Sequence, residues 1–188
     1  MSGSYALSTP ASRYGIPIPP PVPTDRLEWF AIQTRYRFEK KVAAQLEQKG
    51  CEVYLPMLIE RHKWSDRQKN IALPLFPGYA FVHIDPSREA RAQVLQTFGL
   101  IGFVNFGALI LPVPAMQIAN LQLLLSGKTT FSPYPFILSG KRVRIRGGCL
   151  HGVEGILLQQ DSKKLIISID AIRRSVAIEI SGYDLELA

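Results

Sequence analysis

Nine residues, Pro74-Leu75-Phe76-Pro77-Gly78-Tyr79-Ala80-Phe81-Val82, constrain the fold of this chain more than any other stretch. Pro74 and Pro77 remove two backbone donors and Gly78 permits a positive φ, so the chain turns here. Beyond the turn, Tyr79-Ala80-Phe81-Val82-His83-Ile84 alternates large and small side chains with the period of a strand. Tyr79, Phe81 and His83 then share one sheet face, and Ala80, Val82 and Ile84 the other. A strand with two apolar faces belongs at the centre of a sheet, with one face for a core and one for docking.

The flanking sequence supplies the rest of such a domain. Residues 29–35 alternate as a first strand, and from Arg37 the period lengthens, with Phe38, Val42 and Leu46 recurring every four residues until Gly50 ends a helix. Residues 51–58 return to β composition, and the polar, basic stretch 60–70 around Trp64 reads as an exposed hairpin or loop. Asp85-Pro86 predicts the cap and first turn of a helix through about residue 97, with Ala90, Val94 and Phe98 inward and Gly99 ending it. A strand over 101–106 follows, then a helix over 116–125, started by Pro112 and Pro114, whose Ile118, Leu121 and Leu125 form a stripe. The expectation for 27–125 is an α+β domain, an antiparallel sheet with helices.

Two stretches differ from this pattern. Residues 1–26 are Pro-rich, without apolar period, and read as a disordered or polyproline-like leader; residues 126–138, with Pro133-Tyr134-Pro135, read as a semi-extended linker. Over 139–188 the signals are those of a small all-β barrel. Arg142-Val143-Arg144-Ile145-Arg146 alternates, Gly147-Gly148 turns, and strands are expected over 165–170, 174–180 and 185–187.

A formal charge of +7 favours an anionic partner, most simply nucleic acid. Arg35, Arg37, Lys40 and Lys41 cluster where the first strand meets the first helix, and Arg61, Lys63, Arg67 and Lys69 surround Trp64. Basic groups with an interleaved ring can neutralise phosphates while a base stacks, although the same charges also suit a solvated face. Cys51 and Cys149 stand far apart without a CxxC pair, and Cys149, His151 and Cys51 are too sparsely spaced for a metal site. His62, His83 and His151 are scattered, no nucleophile or Walker motif occurs, and the glycines of 147–155 lack a following Lys-Ser/Thr. The expectation is no enzyme, no cofactor and no metal. Without a signal-like start or a run of membrane-spanning length, the chain is expected to be soluble and cytoplasmic, with no membrane partner.

Three motifs in order carry a resemblance: Trp29-Phe30 on the first strand, Leu75-Phe76-Pro77-Gly78-Tyr79 before the central strand, and Gly-x-x-x-Gly-x-x-Gly as Gly148, Gly152 and Gly155. Over 27–188 the chain resembles the NusG family of transcription elongation factors, whose N-terminal domain is followed by a KOW module. Trp64-Ser65-Asp66-Arg67 and Arg174-Ser175-Val176-Ala177-Ile178-Glu179-Ile180 look closest to the UpxY-type antiterminators, with RfaH a more distant relative. The resemblance implies a factor, usually monomeric, that binds the clamp helices of RNA polymerase and suppresses pausing. Tyr79, Phe81, Phe106, Ile118 and Leu121 match the clamp-facing set, with Phe76 and Trp29 beside them.

The resemblance also implies that the non-template DNA strand is read by the basic residues already named. Arg35 matches a DNA-contacting position of RfaH, whereas Phe98 stands where RfaH has another such arginine, and Ala90-Arg91-Ala92 replaces a His-Thr-Thr motif touching the polymerase β subunit. The KOW module would recruit ribosomal protein S10 or Rho through Leu150, His151 and Gly152, Leu150 being either an exposed contact or a cap on the barrel. The isoleucines and valines of 166–180 favour strands, so a stable barrel is expected rather than the helical hairpin known in RfaH. A housekeeping NusG-like factor and a KOW-type RNA-binding or ribosome-associated protein are the alternatives.

Overall fold

The computed structural model describes the backbone of residues 27–63, 68–107, 109–127, 130–137, 139–158 and 164–188, and the side chains of these residues outside 60–69. In chain order the first unit comprises β1 (Glu28–Thr34), α1 (Glu39–Gln48), β2 (Glu52–Tyr54), β3 (Met57–Lys63), β4 (Gln68–Pro74), β5 (Tyr79–Ile84), α2 (Arg88–Leu95), β6 (Leu100–Phe103), β7 (Asn105–Phe106), β8 (Leu109–Ile110) and α3 (Ala115–Ser126). The second comprises β9 (Phe131–Tyr134), β10 (Lys141–Arg146), β11 (Glu154–Leu157), β12 (Lys164–Ile169), a short 3-10 turn Asp170–Ile172, β13 (Arg174–Glu179) and β14 (Asp184–Leu187).

β5 lies inside a four-stranded sheet of order β2-β5-β1-β6, antiparallel to both neighbours with Ala31 and Tyr54 each opposite Phe81. Its two faces separate as the alternation predicts. Ala80, Val82 and Ile84 join Phe30 and Ile32 of β1, Val42 and Leu46 of α1 and Val94 of α2 in one core. Phe81 joins Trp29, Ala31, Leu75, Phe76 and Val113 with Ile118, Leu121 and Leu124 of α3 in a second, which runs on into the core of the C-terminal unit. Each large apolar side chain so buried contributes about 1.5–3 kcal/mol of transfer free energy. β3 and β4 form a separate two-stranded ribbon, and β7 and β8 another.

The C-terminal unit is a six-stranded antiparallel sheet of order β14-β10-β11-β12-β13-β9. Val143, Ile145, Leu165, Ile167, Ile169, Val176 and Ile178 close its core. Its edge strand β9 falls in the stretch read as a linker. Extended backbone at Phe131–Tyr134 pairs with β13, Ala177 opposite Ser132, because an unpaired sheet edge offers the linker's donors and acceptors partners that solvent otherwise supplies. α3 packs against β12, and Ile166 and Ser168 of that strand line, with Gln117 and Asn120 of the helix, a small cavity of about 200 Å3.

Several local expectations change in the folded chain. The cap of α2 is Ser87, whose Oγ accepts from the Ala90 amide at 3.3 Å. Asp85 instead accepts from the Ser87 amide at 2.7 Å, ordering the turn that precedes the helix. Phe98 lies beyond the helix end and is 61% exposed rather than inward. The predicted strand 101–106 divides at Val104, whose amide still donates to Ala31 O of β1 at 2.9 Å before Asn105 and Phe106 turn away to pair with β8. At the C-terminal end of the α3 stripe the fully buried position is Leu124, and Leu125 is only half-buried. The leader and residues 64–67 lie outside the described residues.

Candidate functional site

The turn before β5 is held by a group that the sequence pattern does not announce. Gly78 adopts φ 82°, the left-handed region that favours glycine. Its amide donates to Glu39 Oε1 at 2.8 Å and its carbonyl accepts from the Thr34 amide at 2.8 Å. Glu39 is only 3% exposed, so the first residue of α1 satisfies a donor that would otherwise be stranded at the sheet end. The Tyr79 amide closes the turn on Phe76 O at 3.1 Å. Phe76 thereby points into the cluster around Phe81, and Tyr79 packs half-buried at the margin.

Of the residues matched to a clamp-facing set, Trp29, Phe76, Phe81, Ile118 and Leu121 therefore come together as one buried cluster, with Tyr79 against it. Phe106 stands apart from them at 75% exposed, beside Leu109 at 64% and Leu111 at 47%. Phe106, Val104, Leu111 and Pro112 from the first unit and Phe136, Ala171 and Arg173 from the second line an apolar cleft of about 790 Å3. The buried members shape a platform, and the exposed apolar surface lies at its rim. Trp29 is anchored twice, by the Val113 amide donating to its carbonyl at 2.7 Å and by stacking on His83 at 4.6 Å between centroids.

α3 is also where the two units join. Asn120, 4% exposed, donates from Nδ2 to Glu154 O at 2.9 Å and accepts from the Glu154 amide at 3.2 Å. One turn earlier, Gln117 donates to Asp170 Oδ2 at 2.8 Å and accepts from the Asp170 amide at 3.1 Å. Each side-chain amide thus engages both a donor and an acceptor of one residue of the C-terminal unit. Sequence reasoning missed both; the signal was present in Asn120, a polar residue placed between Ile118 and Leu121 on an apolar helix.

The basic residues divide into two groups. Arg35, Arg37, Lys40 and Lys41 are all exposed where β1 passes into α1. The Lys40 ammonium is turned toward the ribbon, donating to Ala72 O at 2.9 Å. Two rings share this corner, Tyr36 at 71% and Phe98 at 61% exposed. Arg61, Lys63 and Lys69 lie on the β3–β4 ribbon, Arg61 opposite Asn70 and Lys63 opposite Gln68, while Trp64 and Arg67 lie outside the described residues.

At the glycine-rich turn of the C-terminal unit, Leu150 is fully buried and caps the core; it is not an exposed contact. His151 is exposed, and its Nδ1 accepts from the Gly147 amide at 3.0 Å. Gly155 is required by close approach, since a Cβ there would lie 2.6 Å from Ile166 O. Among the described residues no group of three His, Cys, Asp or Glu side chains could hold a metal ion, and no helix is long and apolar enough to cross a membrane.

The NusG of Lactococcus lactis is 27% identical over 169 residues, covering 84% of this chain and 91% of that protein. The NusG of Borreliella burgdorferi is 24% identical over 179 residues, covering 84% and 97%. Both carry the name transcription termination/antitermination protein NusG. A solved structure of Thermotoga maritima NusG, described for its domain interaction, overlays with a TM-score of 0.49 at 21% identity over 81% of this chain and 93% of that one. The family profile described as transcription termination factor nusG matches residues 27–122. With just over half of its length matched by that profile, the chain belongs to the NusG family of non-enzymatic transcription termination/antitermination factors.

Proposed function

We infer that this chain is an operon-specific antitermination factor of the UpxY type. It rides on elongating RNA polymerase, contacts the clamp helices through the exposed apolar rim of its platform, and suppresses pausing. One observation carries the reading: residues from β1, β5 and α3 matched to the clamp-facing set converge on a single cluster, while Phe106, Leu109 and Leu111 leave apolar surface uncovered at its rim. Exposed aromatic and aliphatic groups beside a rigid, packed support are suited to act as interface anchors. In this reading Phe106 and Tyr79 touch the polymerase, and Trp29, Phe76, Phe81, Ile118 and Leu121 hold the surface in shape.

The basic corner of Arg35, Arg37, Lys40 and Lys41, together with the basic stretch of Arg61, Lys63, Trp64, Arg67 and Lys69, serves the exposed non-template DNA strand. The C-terminal sheet is the KOW module, and the turn bearing His151 and Gly152 over the buried Leu150 is its contact to ribosomal protein S10 or Rho. The factor acts as a monomer in the cytoplasm.

Because Phe81 is buried, the informative variant is Phe106→Ala, which removes contact surface without opening the core. Binding to core polymerase is expected to weaken by about 1–3 kcal/mol. A folded Phe106→Ala protein that binds as tightly as the parent would remove the rim from the interface. Operon specificity is tested by pausing on elongation complexes with scrambled non-template bases, where indifference to that sequence would place the protein with general NusG factors.

A further inference from the structure

The corner where β1 enters α1 holds more than charge. Tyr36 and Phe98 are both large rings left exposed, at 71% and 61%, and neither belongs to either apolar core. The Arg35 amide donates to Gly99 O at 2.8 Å, fixing the two segments side by side. The Arg35 guanidinium carbon then lies 5.9 Å from the Phe98 centroid, and that of Arg37 lies 5.3 Å from the Tyr36 centroid. Phe98 is braced from beneath by Phe38, in an edge contact at 5.6 Å and 69°, and Lys41 Nζ lies 5.5 Å from the Phe38 ring.

Arg37 has φ 64°, a conformation few non-glycine residues adopt, and such outliers gather at binding sites. Among the described residues no carboxylate pairs with Arg35, Arg37 or Lys41. The nearest acid in sequence, Glu39, is buried with its carboxylate on Gly78. Among the described residues these cations therefore have no counter-charge, and each ring stays largely exposed beside its single guanidinium.

We propose that Tyr36 and Phe98 are stacking platforms for unpaired bases of a single-stranded nucleic acid, with Arg35, Arg37 and Lys41 neutralising the flanking phosphates. This rests on the reading of the basic corner as the nucleic-acid face and adds the groups that would grip bases. Every base has a π-face, so rings bind single strands with little regard for sequence, whereas cations set the salt dependence.

Those two contributions are separable in one experiment on the full chain without polymerase. Fluorescence anisotropy with short oligothymidine and oligouridine, across a salt series, is expected to show Tyr36→Ala and Phe98→Ala weakening binding about tenfold or more at every salt concentration, with the salt slope unchanged. Arg35→Gln and Arg37→Gln should instead lower the slope, by about 0.7 each. Tyr36→Trp should retain binding, and 2-aminopurine in the strand should be quenched by the parent and less by the ring variants. Preference for the DNA or the RNA strand identifies the source of the bases. Since Phe98 leans on Phe38, Tyr36→Ala keeps the test decisive if Phe98→Ala fails to fold. Ring variants that bind both strands like the parent, or that lose polymerase binding alone, overturn the proposal, and a parent that binds duplex as tightly as single strands does the same. Phe106→Ala with polymerase reports independently on the clamp-facing reading.

Discussion

Two groups of aromatic rings meet opposite fates in the first unit. Trp29, Phe76 and Phe81 are 8%, 5% and 0% exposed beneath α3, whereas Tyr36 and Phe98, just beyond the C-terminal end of β1, are 71% and 61% exposed. The first group sits on or against a pleated sheet face, where the apolar stripe of α3 can cover it. The second sits on turns among Arg35, Arg37 and Lys41, and an apolar cover there would have to desolvate the cations. Apolarity alone therefore does not decide burial: a ring is covered by its own chain where its neighbours are apolar and left for other partners where they are charged.

The comparison is tested most severely at Phe81. Phe81→Ala is expected to cost about 3–5 kcal/mol in denaturant unfolding, against no more than about 0.5 kcal/mol for Tyr36→Ala. Similar losses at both sites would erase the distinction between covered and open rings. Next in size is Asn120→Ala, which leaves the amide and carbonyl of Glu154 without their partner and should cost about 1–3 kcal/mol. Hydrogen exchange at the Glu154 amide should accelerate accordingly. Unchanged exchange there would mean that the side-chain amide does not hold the C-terminal sheet on α3.

Gly78→Ala forces a side chain into φ 82° and should lower stability by about 1–2 kcal/mol, read as a shift in thermal midpoint. A neutral result would show that the turn feeding the covered face can relax. The smallest effect belongs to Tyr54, stacked on Phe81 at 6.3 Å between centroids, whose buried hydroxyl finds no partner among the described residues. Tyr54→Phe should be neutral or slightly stabilising, by less than about 1 kcal/mol. Burial pushes its phenol above the ordinary 10.0. The unfolded chain therefore loses that proton first, and stability due to this group is full below pH 10 and falls as pH rises beyond it. Tyr54→Phe should remove that alkaline loss, and a variant with the parent's pH profile would place the destabilisation elsewhere.

Much of the fold is legible along the chain, and its failures are instructive. The two faces of β5, the helix through Phe38, Val42 and Leu46, and the turn at Gly78 all follow from local period and backbone permission. Helical period carried past Leu95, where α2 stops, places Phe98 inward, although the helix no longer turns it that way. The neighbours of Leu150 say only that it lies in a glycine-rich turn, which fits an exposed contact and a cap equally. β9 reads as linker in the sequence because its pairing with β13 depends on an edge more than forty residues further along.

By itself, then, the sequence determined the periods, the turns, the basic balance and the order of the two units, because these follow from the intrinsic geometry of each residue and its near neighbours. Only the tertiary structure decided that Glu39 satisfies Gly78, that Asn120 and Gln117 hold the C-terminal sheet on α3, and that Tyr36 and Phe98 share an open basic corner. Each of these joins groups distant in sequence or depends on which apolar surface finds a cover, and that is settled by packing the whole chain.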